Sequence, residues 1–465
     1  MRARSIRRFV IAAVVIGMCL WARPDRALKV AIGTTAHDLC SETFVSGLDP
    51  DKTFAESLKP RPGYRWIAGA MRYSVDRAHR EGRASLLGAW PKRAVFRDGL
   101  GCVLVHGDEA IASASLAAMP HTAALLPEIA GDAVVEPADP KLKAALATAF
   151  VETDQPPHRW VKAAVIVHDG KVIAERYAPG YGIATPILGF SMTKSVTNAL
   201  VGILVQQGKL KVDAPASLKA WQGAGDPRRA ITLEQLMRMD SGLALDETGS
   251  GFDPSNLMFY DEPDMAAYAE RARAIAPPGT RWAYSSASTH LVSRIVRDAV
   301  GGDAASAQRF AFNELFDRLG MRHVTFETDA TGTPIGAHYL FASARDWARF
   351  GSLYLNDGVV GGQRLLPAGW AAWSSSPTLG TQYGAGWWTN RADDQPADEA
   401  VQHRRRLGIP ADALFAFGNL GQRIAVIPSE QLVIVRMARA HTRYNDQAGF
   451  EQLIVDTIAA LHAGR

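Results

Sequence analysis

The sequence predicts an α+β fold, an antiparallel sheet flanked by helices with a large all-helical insertion, preceded by a small N-terminal region. Three observations carry this. Ala163–His168 and Lys171–Tyr177 are β-rich runs joined at Asp169-Gly170, a strong hairpin signal. From Met192 to about Asn356 the chain is mainly helical and loop-like. Strands then return as apolar runs, Gly386–Thr389, Ala413–Phe417, Arg423–Ile427 and Leu432–Met437, and Phe450–His462 closes as an amphipathic helix. Splitting the strands of one sheet around a helical lobe leaves a groove where sheet meets lobe, a place where ligand sites often form.

The chain has 465 residues, enough for two or three domains. Residues 1–27 read as a leader: arginines at 2, 4, 7 and 8 precede an apolar run from Phe9 to Trp21. No good small-x-small cleavage site follows, so a signal-anchor is preferred to a cleaved signal. Either way the body is expected to be exported, to the periplasmic side of the inner membrane or beyond it. The formal charge of +4 is concentrated in the leader, which carries +5 and leaves −1 for the rest. The basic balance is therefore no argument for nucleic acid, and Arg404-Arg405-Arg406 is read as a solvated loop. Contact with a membrane is expected through the leader alone.

Residues 28–140 read as an accessory region of short apolar runs and Pro/Gly turns, with no catalytic set of its own. Outside the leader the cysteines are two, Cys40 and Cys102. An even pair in an oxidising compartment is expected to form a disulfide, the alternative being two buried thiols. Pro137 and Pro140 mark a linker, and Lys141–Glu152 a helix that opens the main domain, 141–465.

The chemistry centres on Ser191. Lys194 follows one helical turn later on the same face. A serine hydroxyl is a poor nucleophile unless a base takes its proton. A lysine serves as that base only if burial or a second cation lowers its pKa, at a cost of about 4–5 kcal/mol. Apolar residues at helical spacing run from Met192 to Leu204, and Gly208 ends the helix. A second element, Pro277-Pro278-Gly279-Thr280-Arg281-Trp282-Ala283-Tyr284-Ser285-Ser286, delivers Tyr284 just before a helix. A third, Phe417-Gly418-Asn419-Leu420-Gly421-Gln422, lies between two strands, where glycine allows close backbone approach to a substrate.

With these elements in this order, residues 160–460 resemble the serine-reactive β-lactamase-like family, which includes penicillin-binding proteins, class C β-lactamases, some esterases and 6-aminohexanoate-dimer hydrolases. Further stretches match: Gly208–Pro215, Ile231–Leu243, Ala344–Gly351 and Tyr383–Trp388. The resemblance implies a β-lactamase/transpeptidase-like fold and a serine hydrolase domain over 141–465. It implies that Ser191 is acylated, that Lys194 is its general base and that Tyr284 relays the proton to the leaving group. Which of Lys194 and Tyr284 is the formal base stays open. A phenol is a useful relay if a cation lowers its pKa, and Lys194 is the candidate cation. The oxyanion hole would use the Ser191 N–H and a donor near Gln422.

The chain departs from the family pattern at two places. Ser286 stands where many members have Asn, and Asn419-Leu420-Gly421 where they have Lys-Thr-Gly. Loss of that lysine argues against β-lactams and cell-wall peptides, and Arg423 could replace it only if its strand turned it inward. The Tyr-x-Ser form and the Gly-Gln turn are more similar to the 6-aminohexanoate-dimer hydrolase and esterase branches. The substrate is therefore expected to be a small amide or ester. Ser286, Asn419, Gly421 and Gln422 are candidate substrate or oxyanion contacts. Tyr260 is either a pocket wall or a surface-loop aromatic, and Trp387 and Trp388 are core or groove wall.

Rival chemistries lack their residues. Gly-x-Ser-x-Gly fails after its first glycine at Gly189–Thr193. No His-Glu-x-x-His, P-loop or dinucleotide fingerprint occurs, so neither metal nor cofactor is expected. The alternatives kept are β-lactamase or D,D-peptidase-type activity, and a non-catalytic envelope binding protein with the same fold.

Overall fold

The computed structural model describes residues 23–107, 116, 119–391 and 398–463. Most of the stretch expected to be a leader, with Cys19, lies outside them. The fold is built on a six-stranded sheet, antiparallel throughout. Its order is Trp388–Thr389, Leu414–Gly418, Gln422–Ile427, Leu432–Ala438, Val161–His168 and Lys171–Tyr177. Every residue of Gln422–Ile427 and Leu432–Ala438 is buried, which is why these strands are mainly apolar on both faces, with Gln422, Arg423 and Arg436 buried among them. Alternation sorts their side chains between two cores. Val433, Val435 and Met437 join the core formed with helix Ala344–Leu355, whereas Leu432 and Ile434 join the one under helices Pro140–Ala149 and Gln447–Ala463. A smaller sheet pairs Ile187–Leu188 and Val324–Phe326 with Leu340–Ala342. The helical lobe fills the interval between the hairpin and the returning strands.

The N-terminal region is dominated by a helix absent from the sequence reading, α1 (Pro24–Phe44), which starts inside the stretch assigned to the leader. It lies on a four-stranded meander: β1 (Met71–Asp76), β2 (Glu81–Leu86), β3 (Ala89–Arg97) and β4 (Gly101–Val105). The Cys40–Cys102 disulfide ties α1 to β4, with Cα atoms 6.2 Å apart. Helical periodicity gave no signal because α1 is covered on its polar side too. Thr34, Thr35, His37, Asp38, Ser41 and Glu42 are as buried as Ile32 and Leu39. Thr34 and Thr35 donate to carbonyls of α1 itself, Val30 O and Ala31 O (both 2.8 Å), but three of the others find partners in the main domain: Ser41 donates to Glu327 (2.8 Å), Tyr339 to Asp38 (2.6 Å) and Arg439 to Glu42. Val30, Ile32 and Leu39 share one core with Val196, Leu200 and Trp347.

Arg404 also departs from expectation. It lies in a helix, Glu399–Arg406, and is fully buried, donating to Asn390 Oδ1 (3.0 Å) and Gln382 Oε1 (3.1 Å), while Arg405 and Arg406 are exposed. Residues one helical step apart face different surroundings.

Candidate active site

Ser191 sits in a single 3₁₀ turn, Phe190–Met192, that runs directly into helix Thr193–Gln206. Phe190 has φ 48°, a left-handed conformation costing a non-glycine residue about 1–3 kcal/mol. Packing holds it there: its ring meets His338 edge-on at 4.9 Å. A Cβ on Gly189 would come 2.4 Å from Trp347 Cζ2, and one on Gly418 would come 2.3 Å from the Gly189 carbonyl. The end of strand Leu414–Gly418 therefore meets the serine turn backbone to backbone.

Lys194 is 2% exposed and spends its three donors on Ser191 Oγ (2.9 Å), Ser286 Oγ (2.9 Å) and the Ala337 carbonyl (3.0 Å). Burial lowers its pKa to about 8, with the negative charge of Glu247 pulling the other way. The demand the sequence left open is met by desolvation alone, without a second cation. His338, which is buried and feels the charge of Lys194, is held neutral: burial, then that charge, lowers its pKa well below the ordinary value. The helix carrying Lys194 is tied to the Tyr383–Trp388 stretch, with Ser195 donating to Gly386 O (2.7 Å) and Asn198 to Ala385 O (2.6 Å).

Tyr284 is delivered by a loop anchored to the turn after helix Leu233–Arg238, where Gly279 N–H donates to Asp240 O (2.8 Å) and Ala283 N–H to Met239 O (2.9 Å). Its ring stacks on Trp388 at 5.6 Å, and Lys194 Nζ lies over its face, 4.9 Å from the centroid. The phenol does not match the lowered pKa expected for it. Burial, then Glu247, raises it above the ordinary tyrosine value, and the interaction with Ser191 lowers it only in part.

Ser191 and Tyr284 line a groove of about 800 Å³ with Glu247, His338, Trp388 and the Phe417–Leu420 edge. The sequence-predicted contacts divide. Ser286, at a helix start and 1% exposed, faces Lys194 and not the groove. Asn419 lines the groove, its Oδ1 accepting from Leu420 N–H (2.9 Å) and Asn445 Nδ2 (3.2 Å). Gly421 and Gln422 do not line it. Gly421 packs on Ala438, Ala440 and the Asn445 carbonyl. The Gln422 amide is fully buried and clamps Ala438, donating to its carbonyl (2.6 Å) and accepting from its N–H (3.1 Å). Alternation along the strand turns Gln422 away from the serine. Arg423 does turn inward, but its Nη donors are taken by the carbonyls of Gly418 (2.6 Å), Gln422 (2.9 Å), Tyr444 (3.0 Å) and Asn445 (3.3 Å).

Tyr260 is a groove wall on helix Pro254–Asp261, 3% exposed, its hydroxyl 3.0 Å from that of Tyr339. Trp387 is core and Trp388 is wall. Sequence reasoning missed Glu247, which accepts from Ser286 N–H (2.9 Å), and His338. It also missed the N-terminal wall: Ala27, Ala31, Thr34, Arg61 and Tyr64 line the groove opposite the sheet. Arg61 donates to Asp38 (3.1 Å) and lies 5.9 Å over the Phe190 ring, one residue from the serine. The one local signal was Pro24 with Asp25, a helix-start pair.

A serine and a buried lysine at a helix start, set against an antiparallel sheet with a helical lobe between its strands, define a fold of the β-lactamase/transpeptidase class. The beta-lactamase family model matches residues 159–456, and the chain belongs to that family. It is 26% identical over 249 residues to the 6-aminohexanoate-dimer hydrolase of Paenarthrobacter ureafaciens, a match covering 50% of this chain. The chain spans 62% of the length of that relative. Among solved structures, a candidate 6-aminohexanoate-dimer hydrolase from Bacillus anthracis shares the fold at TM-score 0.55 and 20% identity, over 88% of this chain and 97% of that one. A class C beta-lactamase from Rhodobacter sphaeroides does so at TM-score 0.50 and 18% identity, over 69% and 99%.

Proposed function

We propose that the protein is an exported serine hydrolase that acylates Ser191 and hydrolyses a small amide or ester. The observation that carries this reading is the bond from Lys194 Nζ to Ser191 Oγ at 2.9 Å, made by a lysine buried enough to have a pKa of about 8. A lysine so placed is neutral in a useful fraction of molecules near neutral pH, the condition for a general base. The neutral amine takes the Ser191 proton as Oγ bonds to the substrate carbonyl carbon. The oxyanion forms against the Ser191 N–H and the backbone at Gly418–Asn419, which lines the groove, whereas the Gln422 N–H is bonded to Asn419 O. Tyr284, its phenol protonated, gives its proton to the leaving nitrogen or oxygen as the acyl bond breaks, and recovers one from Lys194. Water then attacks the acyl-enzyme by the same route in reverse.

The walls support a small, largely apolar acyl group, with Tyr260, Trp388 and Phe417 lining the groove. The engagement of Arg423 by four carbonyls speaks against a carboxylate held there in the manner of β-lactams. The name of the Paenarthrobacter relative is consistent with a linear amide substrate.

A fluorophosphonate probe and a p-nitrophenyl ester panel, with linear amide dimers and nitrocefin, test this. Covalent labelling and turnover by wild type, both lost in Ser191→Ala, are the expected result. No label and no turnover across the panel would overturn it in favour of a binding protein.

A further inference from the structure

We infer that the body docks on an anionic phospholipid bilayer through the tip of the β2–β3 hairpin and the adjoining turn Tyr64–Ile67. Leu86 pairs with Ala89, so Leu87-Gly88 is a two-residue turn, and both have positive φ, 51° and 86°. Such a turn favours Asn-Gly, and leucine is strained there. Here it carries a leucine that is 69% exposed. Trp66 is 78% exposed and Trp90 42%, the latter also at positive φ. The Leu87 N–H donates to the Ala70 carbonyl (3.0 Å), which holds the tip against the segment bearing Trp66. Tryptophan and leucine projecting together from one end suit a bilayer interface, where an amphipathic ring sits at headgroup level.

Charge points the same way. The Arg65 guanidinium stacks on Trp66 at 4.8 Å, and Arg72 stands exposed at the start of β1. Among the described residues neither has a carboxylate within ion-pair distance. Unpaired arginines beside an apolar tip attract an anionic surface.

The place where α1 starts is the independent observation. Gly33 of α1 packs on Leu104, which pairs with Ala94 of β3. Lys92, two residues earlier on β3, reaches Asp261 (3.0 Å), and Trp90 lies two residues further toward the tip. Cys40, later on α1, is bonded to Cys102, which pairs with Phe96, farther from the tip, so α1 runs away from the tip and its start lies at the same end of the meander as the start of β3. Before α1 the sequence has Arg23, and before that the apolar run Phe9–Trp21. A leader set in a bilayer brings this end to the surface. Tyr64, Ile67, Ala27 and Leu28 of the same end line the groove, so its mouth borders the docking face.

The test uses the full chain with a protease site inserted between Trp21 and Arg23, mixed with phosphatidylcholine vesicles with or without phosphatidylglycerol. After the leader is cut, the body is expected to sediment with the anionic vesicles and not with the neutral ones. Trp66→Ser/Leu87→Ser/Trp90→Ser is expected to weaken this partition at least about tenfold, and Arg65→Glu/Arg72→Glu by a similar factor. Unchanged thermal melting shows that both variants are folded. Release of the cut wild-type body from anionic vesicles overturns the inference, as do equal binding to both vesicle types and undiminished binding by both variants. Hydrolysis takes no part in this readout, so it stands or falls apart from the function proposed above.

Discussion

Lys194 Nζ is 2.9 Å from Ser286 Oγ, the same length as its bond to Ser191 Oγ. The serine that stands where many family members have asparagine therefore faces Lys194 and not the groove. Ser286→Ala leaves Lys194 with one fewer partner at full burial. Steady-state kinetics on the best ester is expected to show kcat lowered by about 10–10² with KM nearly unchanged. A rise in KM at constant kcat would return Ser286 to the substrate.

The pH profile follows from burial of the lysine. Acylation needs the neutral amine, so kcat/KM is expected to rise through a limb near pH 8. Glu247 holds that pKa up. Glu247→Gln removes the negative charge, and the limb is expected to move to lower pH. A limb that stays in place in Glu247→Gln would show that Lys194 is not the titrating group.

The same burial carries a stability cost. The folded pKa of Lys194, about 8, lies below its unfolded value, so the penalty for the ammonium is complete below pH 8. It fades as pH rises toward the unfolded lysine value. Lys194→Met is expected to be inactive, and its stability gap to wild type to change in favour of wild type above pH 8, by on the order of 1–3 kcal/mol. Thermal melts at stepped pH measure this, and a flat difference would refute it.

Tyr284 acts, in the proposed cycle, as a phenol that keeps its proton. Tyr284→Phe retains the stack on Trp388 and the face toward Lys194. It is expected to lose about 10²–10⁴ in kcat with melting temperature unchanged. Absorbance titration of wild type should reveal no phenolate from this residue below the ordinary tyrosine range.

The disulfide secures a helix that is also a groove wall. Cys40→Ser/Cys102→Ser is expected to cost about 2–5 kcal/mol. Because α1 supplies Ala27, Ala31 and Thr34 to the groove, ester KM is expected to rise with it. Unfolding curves and kinetics on the same preparations check both.

Much of this arrangement was legible in the chain. The hairpin at Asp169-Gly170, the helix behind Ser191, the helix Ala344–Leu355 and the returning strands lie within a few residues of their expected places, because periodicity and turn chemistry are local properties. The meeting of Ser191, Lys194 and Tyr284 was implied by the family resemblance that motif order carries, and the three do lie together, Lys194 beneath the groove that Ser191 and Tyr284 line. Helix α1 was illegible for the opposite reason: buried on both its apolar and polar sides, it has no exposed face to set a period. Tyr260 read equally as wall or surface until helix Pro254–Asp261 placed its hydroxyl beside Tyr339.

The sequence by itself determined which residues could do chemistry and in what order they occur, because hydroxyl, amine and phenol are properties of side chains. The tertiary structure alone decided what state those groups are in and which way their neighbours point. The low pKa of Lys194 is a sum over every atom that excludes water from it, contributed by segments far apart in the chain. The orientation of Gln422 and Ser286 turns on strand parity and helix phase, where a shift of one residue exchanges groove for core.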